Sequence, residues 1–229
     1  MDFIILLIMI VIIYLTVRYI FEINIKKIEQ LGKNKELDKL VRKYPENIEI
    51  CKDYLKKLNN QNVKIEEDKN SNSTLYLIVS NKIFIADLKD NFTRIQTIAH
   101  ECLHSIQNKK ILWFNFIFSN IYLVYFFSLC ILGILKFITN KWLFLSVFIL
   151  FGLVYYAVRT YLEMDAMIKA RFLAKEYMQE KRISTKEEIE KIISKYDELN
   201  SLGIKFTNFK FLSQILLKIV IILLIFMFL

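Results

Sequence analysis

The stretch His100-Glu101-Cys102-Leu103-His104 decides how the chain is organised, and it contains the only two histidines among the 229 residues. Residues four positions apart lie on one face of an α-helix, so both imidazoles can bind a single metal ion. Glu101 directly follows the first histidine, and its carboxylate can reach a water molecule on that ion. The alternative is a helix whose histidines bind no metal, although imidazole is a very common metal ligand in proteins.

This spacing is the HExxH pattern of zinc-dependent peptidases, in which both histidines bind zinc and the glutamate is a general base. A catalytic zinc takes three protein ligands and leaves one position open for water. We therefore expect Zn²⁺ as the cofactor, with His100 and His104 as two of its ligands. We expect Glu101 to be the catalytic residue that takes a proton from the water during peptide-bond hydrolysis.

Long apolar runs indicate a membrane protein. Hydrophobic residues make up 55% of the chain, and four glycines and one proline are few breaks for so long a sequence. The composition predicts a mainly α membrane protein with about four transmembrane helices and a small α+β cytoplasmic domain that carries the HExxH helix. The predicted spans are 3–21, 111–137, 142–158 and 211–229, and the polar segments between them are 22–110 and 159–210.

The charge pattern predicts the orientation of these spans. The formal net charge is +9, and the lysines and arginines concentrate in the two polar segments. The positive-inside tendency then places both segments in the cytoplasm, in a multi-pass protein of the cell membrane with an uncleaved amino-terminal anchor. Spans 111–137 and 142–158 form a hairpin that returns the chain to the cytoplasmic active site. Because no basic motif with interleaved aromatic residues is present, we expect attraction to anionic lipid and no binding of nucleic acid.

The polar segments contain further signals of local structure. Residues 75–79 and 82–88 are rich in Ile, Val, Tyr and Phe and predict two strands before the motif helix, 91–108. Ser184 and Glu187 have the spacing of a capping box at the start of a later helix, which Gly203 is expected to end. The three cysteines, Cys51, Cys102 and Cys130, are too far apart for a CxxC pair, so we expect reduced thiols.

The third metal ligand is expected just after the membrane hairpin, where Glu163 is the first carboxylate. Asp165 is the competitor, and side chains two positions apart on a helix point about 200° from each other, so only one can face the ion. We favour Glu163 as the ligand, with Asp165 near the ligands or at the surface. The alternative for Glu163 is an ion pair with Arg159, four residues earlier.

The chain resembles the YugP-like neutral zinc metallopeptidases of bacterial membranes, also described as zinc peptidase 2. The resemblance lies in Ile98-Ala99-His100-Glu101-Cys102-Leu103-His104-Ser105-Ile106-Gln107, in Leu162-Glu163-Met164-Asp165-Ala166 with Ala170, and in the order of spans and polar segments. It implies a multi-pass metallopeptidase with a zincin-like domain and a gluzincin-like ligand set of His100, His104 and Glu163. Larger membrane endopeptidases with an ExxxD sequence fit less well, because Met167 stands where the aspartate is expected.

Two other functions compete with the peptidase. A catalytically silent scaffold or interaction module could retain the fold and even the metal, but such a protein has no need of Glu101. A small transporter usually has ionisable residues within its spans, and here Lys218 is almost alone. The expected partners are therefore protein or peptide substrates, membrane proteins among them, together with the lipid bilayer.

Overall fold

The computed structural model describes residues 2–68, 71, 73–88 and 91–228, so Leu229, at the end of the last predicted span, lies outside the described residues. Most of the described chain is helical, and three short strands precede the motif helix. The elements, in chain order, are α1 (Asp2–Ile20), α2 (Ile25–Gly32), α3 (Lys35–Val41), α4 (Asn47–Lys57), β1 (Lys64–Asp68), β2 (Leu75–Leu77), β3 (Lys82–Ala86), α5 (Arg94–Ile106), α6 (Lys109–Ile134), α7 (Lys141–Lys181) and α8 (Lys186–Phe228).

Helices α6, α7 and α8 each contain a segment that is long and apolar enough to cross a membrane. Their length and composition indicate a membrane protein, as the apolar runs predict. Helix α1 is also apolar, and Ile10–Ile20 is its apolar part among the residues whose side chains the structure describes. The mainly helical fold with a small sheet is thus confirmed, whereas the fourth span and the zincin-like fold stay predictions.

The chain divides into two compact units, and α6, α7 and α8 contribute residues to both. The apolar unit comprises Met1–Ile23, Trp113–Tyr161 and Lys205–Leu229. Its core is aromatic, with the rings of Tyr122 and Phe148 stacked at 4.8 Å between centroids. The sheet unit comprises Asn24–Leu112 and Leu162–Ile204 and contains the HExxH helix.

The sheet has the strand order β1-β3-β2, with β1 parallel and β2 antiparallel to the central strand. Strand β3 is in the middle because Ile83 and Ile85 are fully buried in the core of the sheet unit. Strand β1 was not predicted, since four of its five residues are charged. It lies at an edge, where the ammonium of Lys82 binds the carboxylate of Glu66.

Helix α5 lies against this core through one fully buried face. Its inward side chains are Ile95, Ile98, Ala99 and Cys102. The guanidinium of Arg94 is buried at the first turn, and it donates hydrogen bonds to the Oδ1 of Asn47 and to the carbonyls of Val41 and Tyr44. A buried charge needs such partners, so these bonds join the start of α5 to the connection between α3 and α4.

Helix α8 corrects two predictions. The capping box is one residue later than predicted: the amide of Glu188 donates to the Oγ1 of Thr185, and the amide of Thr185 donates to the carboxylate of Glu188. Gly203 does not end the helix, which continues without a break to Phe228. A Cβ at Gly203 would lie 3.2 Å from the terminal carbon of Met167, so the glycine leaves room for a neighbouring helix.

The continuity of α8 predicts that Gly203→Ala stabilises the protein by about 0.5–1 kcal/mol, because alanine favours helix and the end of a methionine can move aside. Gly152→Ala is the matched control: its Cβ would lie 2.9 Å from Ile215 and 3.2 Å from the hydroxyl of Tyr122. That overpacking should destabilise by about 1–3 kcal/mol. Unfolding in detergent, followed by circular dichroism, measures both. A helix that ended at Gly203 in a left-handed conformation would instead make Gly203→Ala destabilising.

Candidate metal centre

Helix α5 brings the two imidazoles together on the face opposite its apolar side chains. The Nε2 atoms of His100 and His104 are 3.0 Å apart, and the rings meet edge to face with 4.5 Å between centroids. This arrangement follows from their four-residue spacing on one helix. Both side chains are largely buried, so the nitrogen atoms face an enclosed site.

Helix α7 supplies Glu163 to the same point. The Oε2 of Glu163 lies 3.4 Å from the Nε2 of His100 and 3.6 Å from that of His104. Ala166, Ala170 and Ala174 are fully buried and share a helical face with this glutamate. The small side chains identify the inward face of α7, and Glu163 lies one turn before the first of them.

Asp165 lies beside this cluster and is not one of the three converging residues. Its carboxylate accepts hydrogen bonds from the Nε2 of Gln107 at 3.0 Å and pairs with Lys169. Burial acts to raise the pKa of Asp165, but the bonds from Lys169 and Gln107 outweigh it and lower the pKa. Asp165 is therefore a charged acceptor next to the site.

Gln107 connects the two helices, a role that the sequence analysis did not assign. Its Oε1 is 2.8 Å from the Nδ1 of His104, and its Nε2 donates to the carbonyl of Leu162 at 2.8 Å as well as to Asp165. The signal in the sequence is the position of a glutamine three residues after the second histidine, on the same face of the helix.

Glu101 is buried beside the cluster and is held by the sheet. Its Oε2 accepts a hydrogen bond of 2.7 Å from the backbone amide of Tyr76, in edge strand β2, and its Oε1 is 3.9 Å from the Nε2 of His100. Burial raises the pKa of this carboxyl, whereas the two histidines and the Tyr76 amide act to lower it. The net effect is a raised pKa, which favours the uptake of a proton.

These atoms can hold a metal ion. The ligand atoms of His100, His104 and Glu163 all lie within 4.8 Å of one another. Three electron-rich atoms that converge in a largely buried site need a proton or a cation between them, because their charges and lone pairs otherwise repel. The structure thus brings together the three predicted ligands with Glu101 beside them, while their roles stay predictions.

No protein family, no curated protein and no solved structure matches the chain. The resemblance to the YugP-like metallopeptidases therefore stays a prediction that rests on the residues quoted for it. The case for function depends on the chemistry of the site itself, and that chemistry can be measured directly on the purified protein.

The geometry predicts that Glu163 and Asp165 contribute differently to metal binding. Glu163→Ala should weaken Zn²⁺ binding by more than about 100-fold, since it removes a ligand atom, while Asp165→Ala should cost about tenfold or less because it removes only a supporting contact. Competition with a fluorescent chelator in detergent measures both affinities. A larger loss in Asp165→Ala than in Glu163→Ala would show that the ligands are assigned wrongly.

Proposed function

We propose that the protein is an integral-membrane zinc metalloendopeptidase that hydrolyses peptide bonds with a zinc-activated water and Glu101 as general base. The observation that carries the proposal is the convergence of two imidazoles and one carboxylate from separate helices, with a second, buried carboxylate beside them. A structural role alone does not explain why Glu101 is buried next to another acid, because such a pair costs free energy.

Zinc is the ion that this donor set fits best. Zinc is bound by imidazole and carboxylate groups, whereas calcium takes six to eight oxygen ligands and magnesium also prefers oxygen. Ligand atoms at the usual distances from a tetrahedral zinc lie about 3.3 Å from one another. The corresponding separations here are 3.0, 3.4 and 3.6 Å, close to the edges of such a tetrahedron.

The chain's own groups prepare the reaction. When bound, zinc supplies a water of lowered pKa and polarises the substrate carbonyl. The Tyr76 amide holds the Oε2 of Glu101, which leaves Oε1 turned toward the histidines. That oxygen is positioned to take a proton and to pass it to the leaving amine, and the raised pKa of the buried carboxyl assists the uptake.

Strand β2 is the part of the sheet closest to this chemistry. Tyr76 lies opposite Ile83 of β3, and the backbone amide of Tyr76 donates its hydrogen bond to the carboxylate of Glu101. An edge strand can bind an extended peptide through its free backbone groups. The exposed side chains of Leu75 and Leu77 on this strand favour substrates with apolar residues, and we place membrane proteins among them. The charge pattern of the chain supports a site on the cytoplasmic side.

The test compares Glu101→Gln with His100→Ala in detergent-purified protein. Glu101→Gln should keep zinc but lower the cleavage rate of a casein-type substrate by about 100- to 10,000-fold, because it removes the general base and keeps every ligand. His100→Ala should lose both zinc and activity. Zinc is counted by elemental analysis and cleavage by mass spectrometry of the products.

The same measurement decides between the peptidase and the silent scaffold. If wild-type protein binds zinc but cleaves no substrate that Glu101→Gln leaves intact, the silent scaffold is the better description of the protein. If Glu101→Gln cleaves as fast as wild type, the assigned mechanism is wrong. Glu67→Gln, a substitution on strand β1, is a control for the loss of a carboxylate elsewhere in the sheet unit.

A further inference from the structure

We infer that Gln107 is a positioning residue that fixes the tautomer of His104 and holds the helix of the third ligand beside it. The inference rests on the proposed metal centre and adds to it a residue that touches neither metal nor substrate. It depends on hydrogen bonds within the sheet unit, which make one continuous chain from His104 through Gln107 to α7.

The orientation of the Gln107 amide follows from its partners. One end lies 2.8 Å from the Leu162 carbonyl and 3.0 Å from an oxygen of Asp165. The Leu162 carbonyl can only accept a hydrogen bond, and the Asp165 oxygen belongs to a carboxylate that pairs with Lys169. The NH₂ group must therefore face them, and the amide oxygen must face His104.

The tautomer of His104 follows in turn. An amide oxygen can only accept, so the Nδ1 of His104, 2.8 Å away, must carry the proton and donate it. In a neutral ring the Nε2 atom then has the free lone pair. That atom is the one that lies 3.0 Å from the Nε2 of His100 and faces Glu163, so the hydrogen bond selects the form of the ring that binds metal.

The same glutamine also fixes the register between two helices. Gln107 ends α5, and Leu162 immediately precedes the third ligand on α7. A bond to the carbonyl of Leu162 therefore controls where Glu163 lies relative to His104. One side chain thus sets both the ring orientation and the position of the carboxylate.

The experiment measures zinc affinity and ring tautomer in the full-length protein in detergent. Gln107→Leu, which has a similar size and no hydrogen-bonding groups, should weaken Zn²⁺ binding by about 10- to 100-fold. In the metal-free protein, nitrogen NMR of labelled histidine should show the Nδ1-protonated form of His104 in wild type and a mixture in Gln107→Leu. With two histidines in the chain, the signals are assigned by His100→Ala.

Gln96→Leu is the matched control. Gln96 is a fully buried glutamine on the same face of α5, and its amide has no hydrogen-bond partner among the residues that the structure describes. Its replacement should leave zinc affinity and tautomer unchanged. An equal loss in Gln96→Leu and Gln107→Leu would overturn the inference, because it would reflect general damage to the helix.

A paired substitution keeps the inference testable if Gln107→Leu does not fold. In Gln107→Glu combined with Asp165→Asn, a carboxylate still accepts from the Nδ1 of His104, so the Nδ1-protonated ring should persist, while zinc affinity should stay below wild type because no group donates to the Leu162 carbonyl. A mixture of tautomers in this double variant, or an unchanged tautomer in Gln107→Leu, contradicts the role of Gln107. Wild-type protein that binds no zinc contradicts the proposed function itself.

Discussion

The sheet unit is built around the convergence of three electron-rich atoms, the Nε2 atoms of His100 and His104 and the Oε2 of Glu163. Lone pairs of this kind repel one another at separations of 3.0 to 3.6 Å unless a proton or a metal ion lies between them. Folding has to supply the free energy that holds them together. It does so with two helices, each of which buries an apolar face in the common core and turns its polar groups to the same point.

The two helices achieve this in different ways. Helix α5 has bulky residues on its buried face, and Arg94 fixes its first turn through three hydrogen bonds. Helix α7 has three alanines on its buried face, so packing there depends on close fit of small side chains. Gln107 then bridges the helices at the site. The position of the carboxylate thus follows from the packing of the two helices and from the hydrogen bonds of the Gln107 amide.

Much of this arrangement can be predicted from the sequence, and the parts that cannot be predicted have physical reasons. The four-residue spacing of the histidines predicts that both imidazoles meet at one point, and its place as the first carboxylate after the membrane hairpin favours Glu163 over Asp165. The helical spacing of Ala166 and Ala170 from Glu163 is a further signal for the same choice. Strand β1 was not predicted because its charged residues have low strand propensity. It forms through parallel pairing with β3. Gly203 resembles a helix end, but a glycine inside a helix can equally be required by a neighbour such as Met167.

The thiol of Cys102 lies within the motif, yet it faces away from the histidines and is 3.6 Å from the thiol of Cys51 in the core. Thiolates attract zinc and copper strongly, so sulfur this near could draw the ion into a wrong site. Burial raises the pKa of the Cys102 thiol well above its usual value, and the neighbouring thiol of Cys51 raises it further. The sulfur of Cys102 therefore stays protonated. Because both thiols lie in the apolar core, the converging ligand atoms are nitrogen and oxygen alone, and the sulfur atoms are kept apart from them.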